Sequence, residues 1–202
     1  MPSVAEFDQL DNPYRSSRYA DVDALPSVYG AAEAAELQAF VGRKADYYLR
    51  KWAPRLESPD GEAGFNWAAF FLTALWMAYR KMYRNAIFCI VASWVVSLGL
   101  QLLFMFVFQS KSLPASAAVI SNIMFCLVCG VLGNSWYLAH AQRKIAAARA
   151  QGLDGPILMS TLQQRGGTSW WAVLGLMFGP GLILFALLML LAVMLVVAGA
   201  AS

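Results

Sequence analysis

The chain has 202 residues, of which 59% are hydrophobic and only 13% are charged, and its formal net charge is +3. Soluble globular domains carry roughly 25% charged residues. The composition therefore indicates a protein of the lipid bilayer and argues against a water-soluble domain. The first 30 residues contain no apolar run behind a basic start, so we expect no cleaved signal peptide.

The N-terminal quarter of the chain divides into two segments. Residues 1–30 are rich in Asp, Ser, Pro and Tyr and lack apolar periodicity, which predicts a flexible polar tail. Over residues 31–57, apolar residues recur at spacings of three and four, which predicts an amphipathic helix that Pro54 ends or bends. That stripe either lies on a membrane surface or packs against the protein itself. Its members are Leu37, Phe40, Val41, Ala45, Tyr48, Leu49, Trp52 and Leu56.

A short apolar segment follows a turn-rich linker at residues 57–64. The helix predicted over Phe65–Tyr79 would be about 22 Å long, which is less than the ~30 Å hydrocarbon core of a bilayer. Aromatic and basic residues flank both ends. We therefore predict an interfacial or re-entrant helix within residues 65–83.

Three longer segments, residues 86–108, 114–139 and 170–199, contain no charged residue. Each is long enough to cross a membrane as a helix. Gly179, Pro180 and Gly181 predict a kink or break in the last one. The predicted fold class is an all-α integral membrane protein. It has three transmembrane helices, one short interfacial or re-entrant helix and an N-terminal amphipathic helix.

The basic residues predict the orientation. If the short helix does not cross, 14 basic residues lie on one side and Lys111 alone lies on the other. If it does cross, the bias weakens to eight against seven. The positive-inside rule favours the first arrangement, with a cytoplasmic N-terminus and a periplasmic or external C-terminus.

Three sequence stretches carry a family resemblance. They are FVGRKADYYLRKW (Phe40–Trp52), FNWAAFFLTALWMAYRKMY (Phe65–Tyr83) and GNSWYLAHAQRKI (Gly133–Ile145). Together they resemble the bacterial inner-membrane family Domain of Unknown Function 2628, also labelled HrgC-like, over about Phe40–Ile145. The resemblance implies a location in the bacterial inner membrane and no particular activity.

The short helix and its flanks contain the cluster of polar and aromatic residues that most strongly indicates a functional site. Asn66 stands where a helix N-cap belongs. Basic residues follow the C-terminus, where they suit the helix dipole and attract anionic lipid. We predict a lipid or partner interface here, and an anchor that only fixes the depth of the helix is the alternative. The residues are Asn66, Trp67, Trp76, Tyr79, Arg80, Lys81, Tyr83 and Arg84.

Other residues predict structure rather than chemistry. Cys89, Cys126 and Cys129 lie in apolar stretches without further ligands, so we expect small packing residues. His140 is the one histidine and suits the membrane interface. We expect no catalytic residue, cofactor or metal site. Helix packing is expected at two amides and at a G-x-x-x-G pair, which are Asn122, Asn134, Gly175 and Gly179.

These patterns favour a non-enzymatic accessory subunit or scaffold of a larger membrane complex, in contact with anionic lipid at the cytoplasmic face. The alternative is an oligomeric channel or transporter component with Gln101, Asn122 and Asn134 along a pore. The spans hold no ionisable residue, which counts against a pump or proton-coupled carrier. Expected partners are anionic membrane lipids and either another membrane protein or a second copy. Nucleic acid is not expected, because orientation already accounts for the basic residues.

Overall fold

The structure, a computed structural model, describes residues 30–58, 60–109 and 112–200. The predicted tail at residues 1–30 lies, apart from Gly30, outside these ranges. In the described ranges the regular structure is helical. The helices are α1 (Ala31–Val41), α2 (Ala45–Glu57), α3 (Trp67–Tyr79), α4 (Tyr83–Val107), α5 (Ala115–Arg149), α6 (Gly155–Arg165) and α7 (Trp170–Ala200).

Three helical stretches, which contain α4, α5 and α7, are long and apolar enough to cross a membrane, and α3 is a shorter apolar helix. The predicted all-α membrane fold is therefore confirmed. The bounds of α4 and α7 lie within three residues of the predicted ones. α7 runs on through Pro180, so the alternative of a break there is wrong.

The described residues form two compact units. The polar unit comprises residues 30–63 and 141–165, and the apolar unit comprises residues 64–140 and 166–200. α5 contributes its longer part to the apolar unit and its last turns to the polar unit. Each unit has a set of buried side chains of its own.

The polar unit buries the apolar stripe of the amphipathic segment. Leu37, Leu49 and Trp52 are completely buried, and Leu162 of α6 joins them. Burial of this kind stabilises a folded unit by about 1.5–3 kcal/mol for each large side chain. Of the two interpretations of the stripe, the structure therefore supports packing against the protein itself.

The predicted single helix over residues 31–57 is in fact two helices. α1 ends at Val41, and Gly42 takes a φ of 75°, a left-handed conformation that favours glycine. The Gly42 N–H donates to the Gln38 carbonyl at 2.9 Å, which satisfies the end of α1. Pro54 does not end α2, because the helix continues to Glu57.

The C-terminal turns of α5 and the whole of α6 were not predicted. α5 extends ten residues beyond the predicted end at residue 139. In these turns Ala141, Ile145 and Ala148 are buried within the polar unit, and the residues between them are exposed. The mean hydropathy falls beyond residue 139 because the helix becomes amphipathic there, and not because it ends. The end predicted from hydropathy is therefore too early.

Candidate functional site

A pair of buried amides joins α3 to α5. Asn66 is 4% exposed and Asn134 is 0% exposed. The Asn66 Nδ2 donates to Asn134 Oδ1 at 2.8 Å, and the Asn134 Nδ2 donates to the Gly64 carbonyl at 2.9 Å. The Asn66 Oδ1 accepts from the Ala69 N–H at 2.9 Å, which is the predicted N-cap bond. Both amides are therefore engaged in holding the start of α3 on α5.

Two glycines of α5 allow this close approach. The Asn66 N–H donates to the Gly130 carbonyl at 2.8 Å. A Cβ at Gly130 would lie 2.5 Å from the Phe65 ring, and one at Gly133 would lie 2.7 Å from the Ala69 Cβ. Small residues let membrane helices touch backbone to side chain. Sequence reasoning missed these glycines, although their spacing of three on one helix face was a usable signal.

At the other end of α3, Arg80 is held among aromatic rings. The Arg80 side chain is 4% exposed, and its guanidinium carbon lies 5.1 Å from the Tyr137 ring centroid and 5.9 Å from that of Tyr79. Its Nη1 also donates to the Tyr137 hydroxyl at 3.5 Å. Trp76 packs edge-on against Tyr137 at 6.0 Å. A desolvated cation over a ring gains about 2 kcal/mol, so these rings stabilise the buried charge.

The end of α3 also contacts the start of α7. The Tyr79 carbonyl, which has no partner within α3, accepts from the Ser169 N–H at 2.8 Å. The Tyr79 and Trp170 rings meet edge-on at 5.1 Å. The Ser169 Oγ accepts from the Ala172 N–H and so caps α7. One residue of α3 thus positions the N-terminus of the last helix.

The contacts along α5 show how α3 lies in the apolar unit. Its start meets Gly130 and Asn134, and its end meets Tyr137. Seven residues of α5 cover about 10 Å, whereas the 13 residues of α3 cover about 20 Å. α3 is also broken at Thr73, whose φ of 39° is strained for a β-branched residue. The start and the end of α3 therefore meet residues of α5 that are only seven positions apart, and the interfacial or re-entrant placement of α3 stays a prediction.

The structure divides the predicted interface into an inward set and an outward set. Asn66, Trp76 and Arg80 are buried, so they hold α3 against its neighbours. Tyr79 and Lys81 are half-buried. The outward residues are Trp67, which is 66% exposed, together with Tyr83 and Arg84. The predicted residues therefore do not form one continuous surface.

The other predicted packing and pore residues also differ in whether they contact another helix. The Asn122 Nδ2 donates to the Ala118 carbonyl of its own helix at 3.0 Å, and the Gln101 Oε1 accepts from the Leu113 N–H at 3.0 Å. Gly175 and Gly179 have open space where a Cβ would stand, so they make no close helix contact within the described chain. Among these candidates, Asn134 makes the interhelical contact. Each of the three amides expected along a pore has a hydrogen-bond partner within the chain, which gives the channel alternative no support.

The cysteines and the histidine do not meet enough further ligand side chains, among the described residues, to form a metal site. Cys89 of α4 and Cys129 of α5 are buried in hydrogen-bond contact with one another, and all three cysteines are free thiols. His140 is half-buried. Among the described residues, no three His, Cys, Asp or Glu side chains come together in a way that could hold a metal ion.

The polar unit has two concave surfaces that sequence reasoning missed. A groove of about 580 Å³ lies between α1 and the last turns of α5. Within it, Arg149 donates through Nε and Nη2 to Glu36 Oε1, at 3.1 and 2.7 Å. An open cavity of about 510 Å³ on α2 is lined by Asp46, Tyr47, Arg50 and Lys51. The cavity on α2 is lined by polar side chains and Tyr47, whereas the groove also includes Leu37 of the apolar stripe and Ile145.

Comparison with known proteins gives one match. A family model described as Protein of unknown function (DUF2628) matches residues 36–143, which is more than half of the chain. No curated protein and no solved structure matches the chain. The matched region contains the complete α3–α5 contact, from Asn66 to Tyr137, and stops before α6 and α7.

Proposed function

The chain belongs to the DUF2628 family, and from that premise we propose that it is a non-enzymatic accessory subunit or scaffold of a larger complex in the bacterial inner membrane. Another membrane protein or a second copy is the partner class that fits such a role. Anionic lipid at the cytoplasmic face is the second class of partner.

One observation carries the proposal, namely the division into two units with separate cores. The apolar unit contains the long helices that suit a bilayer. The polar unit encloses Trp52, Leu37 and Leu162 and presents concave surfaces to its surroundings. A folded unit attached to a membrane anchor is an arrangement that offers a surface to a partner. Such concave surfaces are where ligands and partners bind.

The engagement of the buried polar groups supports a structural role. Asn66 and Asn134 satisfy one another and nearby backbone, and Arg80 lies against Tyr137. Polar groups that are used for helix packing are not poised for proton transfer or nucleophilic attack. The proposal therefore assigns these residues to the integrity of the apolar unit.

The proposed orientation follows from the charges. The sequence has no acidic residue between Glu62 and Asp154 and none after Asp154, and in the favoured arrangement its basic residues, except Lys111, lie on one side of the spans. The positive-inside rule then puts the polar unit in the cytoplasm and the C-terminus in the periplasm or outside.

A co-purification experiment with paired variants tests the proposal. The full chain is purified in mild detergent, and accompanying proteins are identified by mass spectrometry. Ala146→Tyr places a bulky ring in the groove beside Glu36 and Arg149, whereas Ala147→Tyr changes the next exposed residue, which does not line the groove. We expect defined protein partners that are retained by Ala147→Tyr and at least partly lost by Ala146→Tyr.

Two results would contradict the proposal. A chain that purifies as a monomer without any protein or lipid has no partner in either proposed class. A turnover activity of the purified chain that survives both substitutions would replace the scaffold role with an enzymatic one. Thermal unfolding of both variants checks that each still folds.

A further inference from the structure

The exposed side of α2 carries a compact basic face. Arg43 and Lys44 precede the helix, and Tyr47, Arg50 and Lys51 follow at spacings that keep them on one side. Arg43, Lys44 and Arg50 are exposed, Lys51 is half-buried, and Tyr47 is 50% exposed. Asp46 is the acidic member of the cavity that Tyr47, Arg50 and Lys51 line. The face thus has four cations, one carboxylate and an exposed aromatic ring.

The four cations of this face take no part in the buried side of α2. The buried side of α2 consists of Ala45, Tyr48, Leu49, Trp52 and Ala53. Tyr48 packs on Trp52 at 5.4 Å and receives the edge of Tyr47 at 5.1 Å. The helix is thus held by its apolar side, and the basic side is left for another partner. A membrane-bound orientation with the apolar stripe in lipid is not available, because that stripe is already covered.

The position of α2 in the chain favours a membrane surface as that partner. Residues 58–66 connect α2 to α3, the first apolar helix. Ten residue steps span at most about 36 Å even when fully extended. This connection is further shortened, since the Gly61 N–H donates to the Ser58 carbonyl at 3.0 Å. A short connection therefore joins α2 to the first apolar helix, and cytoplasmic leaflets carry negative charge.

We propose that the Tyr47-centred basic face of α2, formed by Arg43, Lys44, Tyr47, Arg50 and Lys51, docks on anionic lipid headgroups at the cytoplasmic surface. Four cations complement phosphate groups, and tyrosine is a residue type that settles at headgroup level. The inference rests on the proposed orientation of the polar unit. It moves the lipid-binding role from the border of α3, where Arg80 is buried, to the polar side of α2.

The docking can be measured in the unsubstituted chain from the rates at which its lysine side chains are acylated. The full protein is placed in nanodiscs of phosphatidylcholine alone or with added phosphatidylglycerol. A water-soluble amine-acylating reagent is then applied, and each lysine is quantified by mass spectrometry. We expect Lys44 and Lys51 to react about fivefold more slowly in the anionic nanodiscs, because one basic residue near such a surface gains about 1 kcal/mol. Raised salt should remove the protection.

Matched charge reversals separate docking from a general effect of surface charge. Arg50→Glu lies in the basic face, whereas Arg165→Glu makes the same charge change on α6, where Arg165 is exposed and donates to Gln151. The protection of Lys44 and Lys51 should be lost in Arg50→Glu and in the milder Arg50→Gln, and it should persist in Arg165→Glu.

The outcomes distinguish this inference from the proposed function. Equal lysine reactivity in both nanodiscs, or equal protection in Arg50→Glu and Arg165→Glu, overturns the lipid-docking face. If the protein partners are then lost on Arg50→Glu, the face belongs to an acidic protein surface instead. If protein partners still co-purify unchanged with every variant, the scaffold role stands and only the lipid-docking role of the face is rejected.

Discussion

At the scale of single residues, the apolar unit depends on a few polar side chains with defined partners. Asn134 links Asn66 and the Gly64 carbonyl, and it has no exposed surface. A buried polar group that loses its partner keeps its desolvation cost, so removal of one amide leaves several groups unsatisfied. Asn122 offers a comparison, because it is an exposed amide on the same helix that bonds only to Ala118 of its own backbone.

We predict that Asn134→Ala lowers the free energy of unfolding by about 1–3 kcal/mol. Asn122→Ala should lower it by less than about 0.5 kcal/mol, as exposed substitutions usually do. Reversible denaturation in detergent micelles, followed by circular dichroism, measures both. Similar losses for the two variants would show that the Asn66–Asn134 pair does not hold α3.

The N-cap of Asn66 was predictable from sequence, because a cap and its acceptor lie three residues apart. Its second partner was not, since Asn134 is 68 residues away and local patterns carry no information on such pairs. The same limit applies to Arg80. Its position after an apolar helix suggested a headgroup contact, but its burial against Tyr137 depends on where a later helix packs.

At the scale of helices, the close packing of α3 on α5 depends on two glycines of α5, which have no side chain. Gly130 and Gly133 face Phe65 and Ala69 at distances that leave no room for a methyl group. Gly175 is also helical but has open space around it. These positions allow the packing role of glycine to be separated from its effect on helix propensity.

Gly133→Ala should destabilise the protein by about 1–3 kcal/mol, because the added methyl group forces α3 away from α5. Gly175→Ala should be neutral or stabilising by up to about 1 kcal/mol, since alanine is the better helix former. The shift in the midpoint of thermal unfolding in detergent tests both. Destabilisation by Gly175→Ala equal to that by Gly133→Ala would mean that the contact at α3 is not limiting.

Helices were predictable where composition alone determines them. α7 holds no charged residue and α4 holds one, Arg84 in its first turn, and both are longer than a bilayer requires, so hydropathy locates them. Only Leu158 and Leu162 of α6 are buried, and the apolar residues of this short segment do not recur over enough turns to predict a helix. The break between α1 and α2 was available in principle, because Gly42 in a helical pattern is a common C-terminal signal.

At the scale of the whole molecule, the orientation predicted from charge is open to a direct test. The chain is first freed of native thiols by Cys89→Ala, Cys126→Ala and Cys129→Ala. A single cysteine is then introduced at Ser112, in the loop between α4 and α5, or at Ala147, which is exposed in the polar unit. We expect a membrane-impermeant maleimide to label Ser112→Cys in intact cells and Ala147→Cys only after lysis. Labelling of Ala147→Cys from outside would reverse the orientation.

The long-range bonds of Asn66 also determine the order in which the protein can be assembled. Its amide and its backbone N–H bond to Asn134 and to Gly130, which the ribosome adds more than 60 residues later. Chains are synthesised at roughly 5–20 residues per second, so these partners are added about 3–14 s after Asn66. The native hydrogen bonds of Asn66 therefore form only after α4 and the first part of α5 have been made. The helix that appears first among the apolar segments therefore completes its contacts only after α4 and most of α5 have been made, and its contact with Ser169 follows later still.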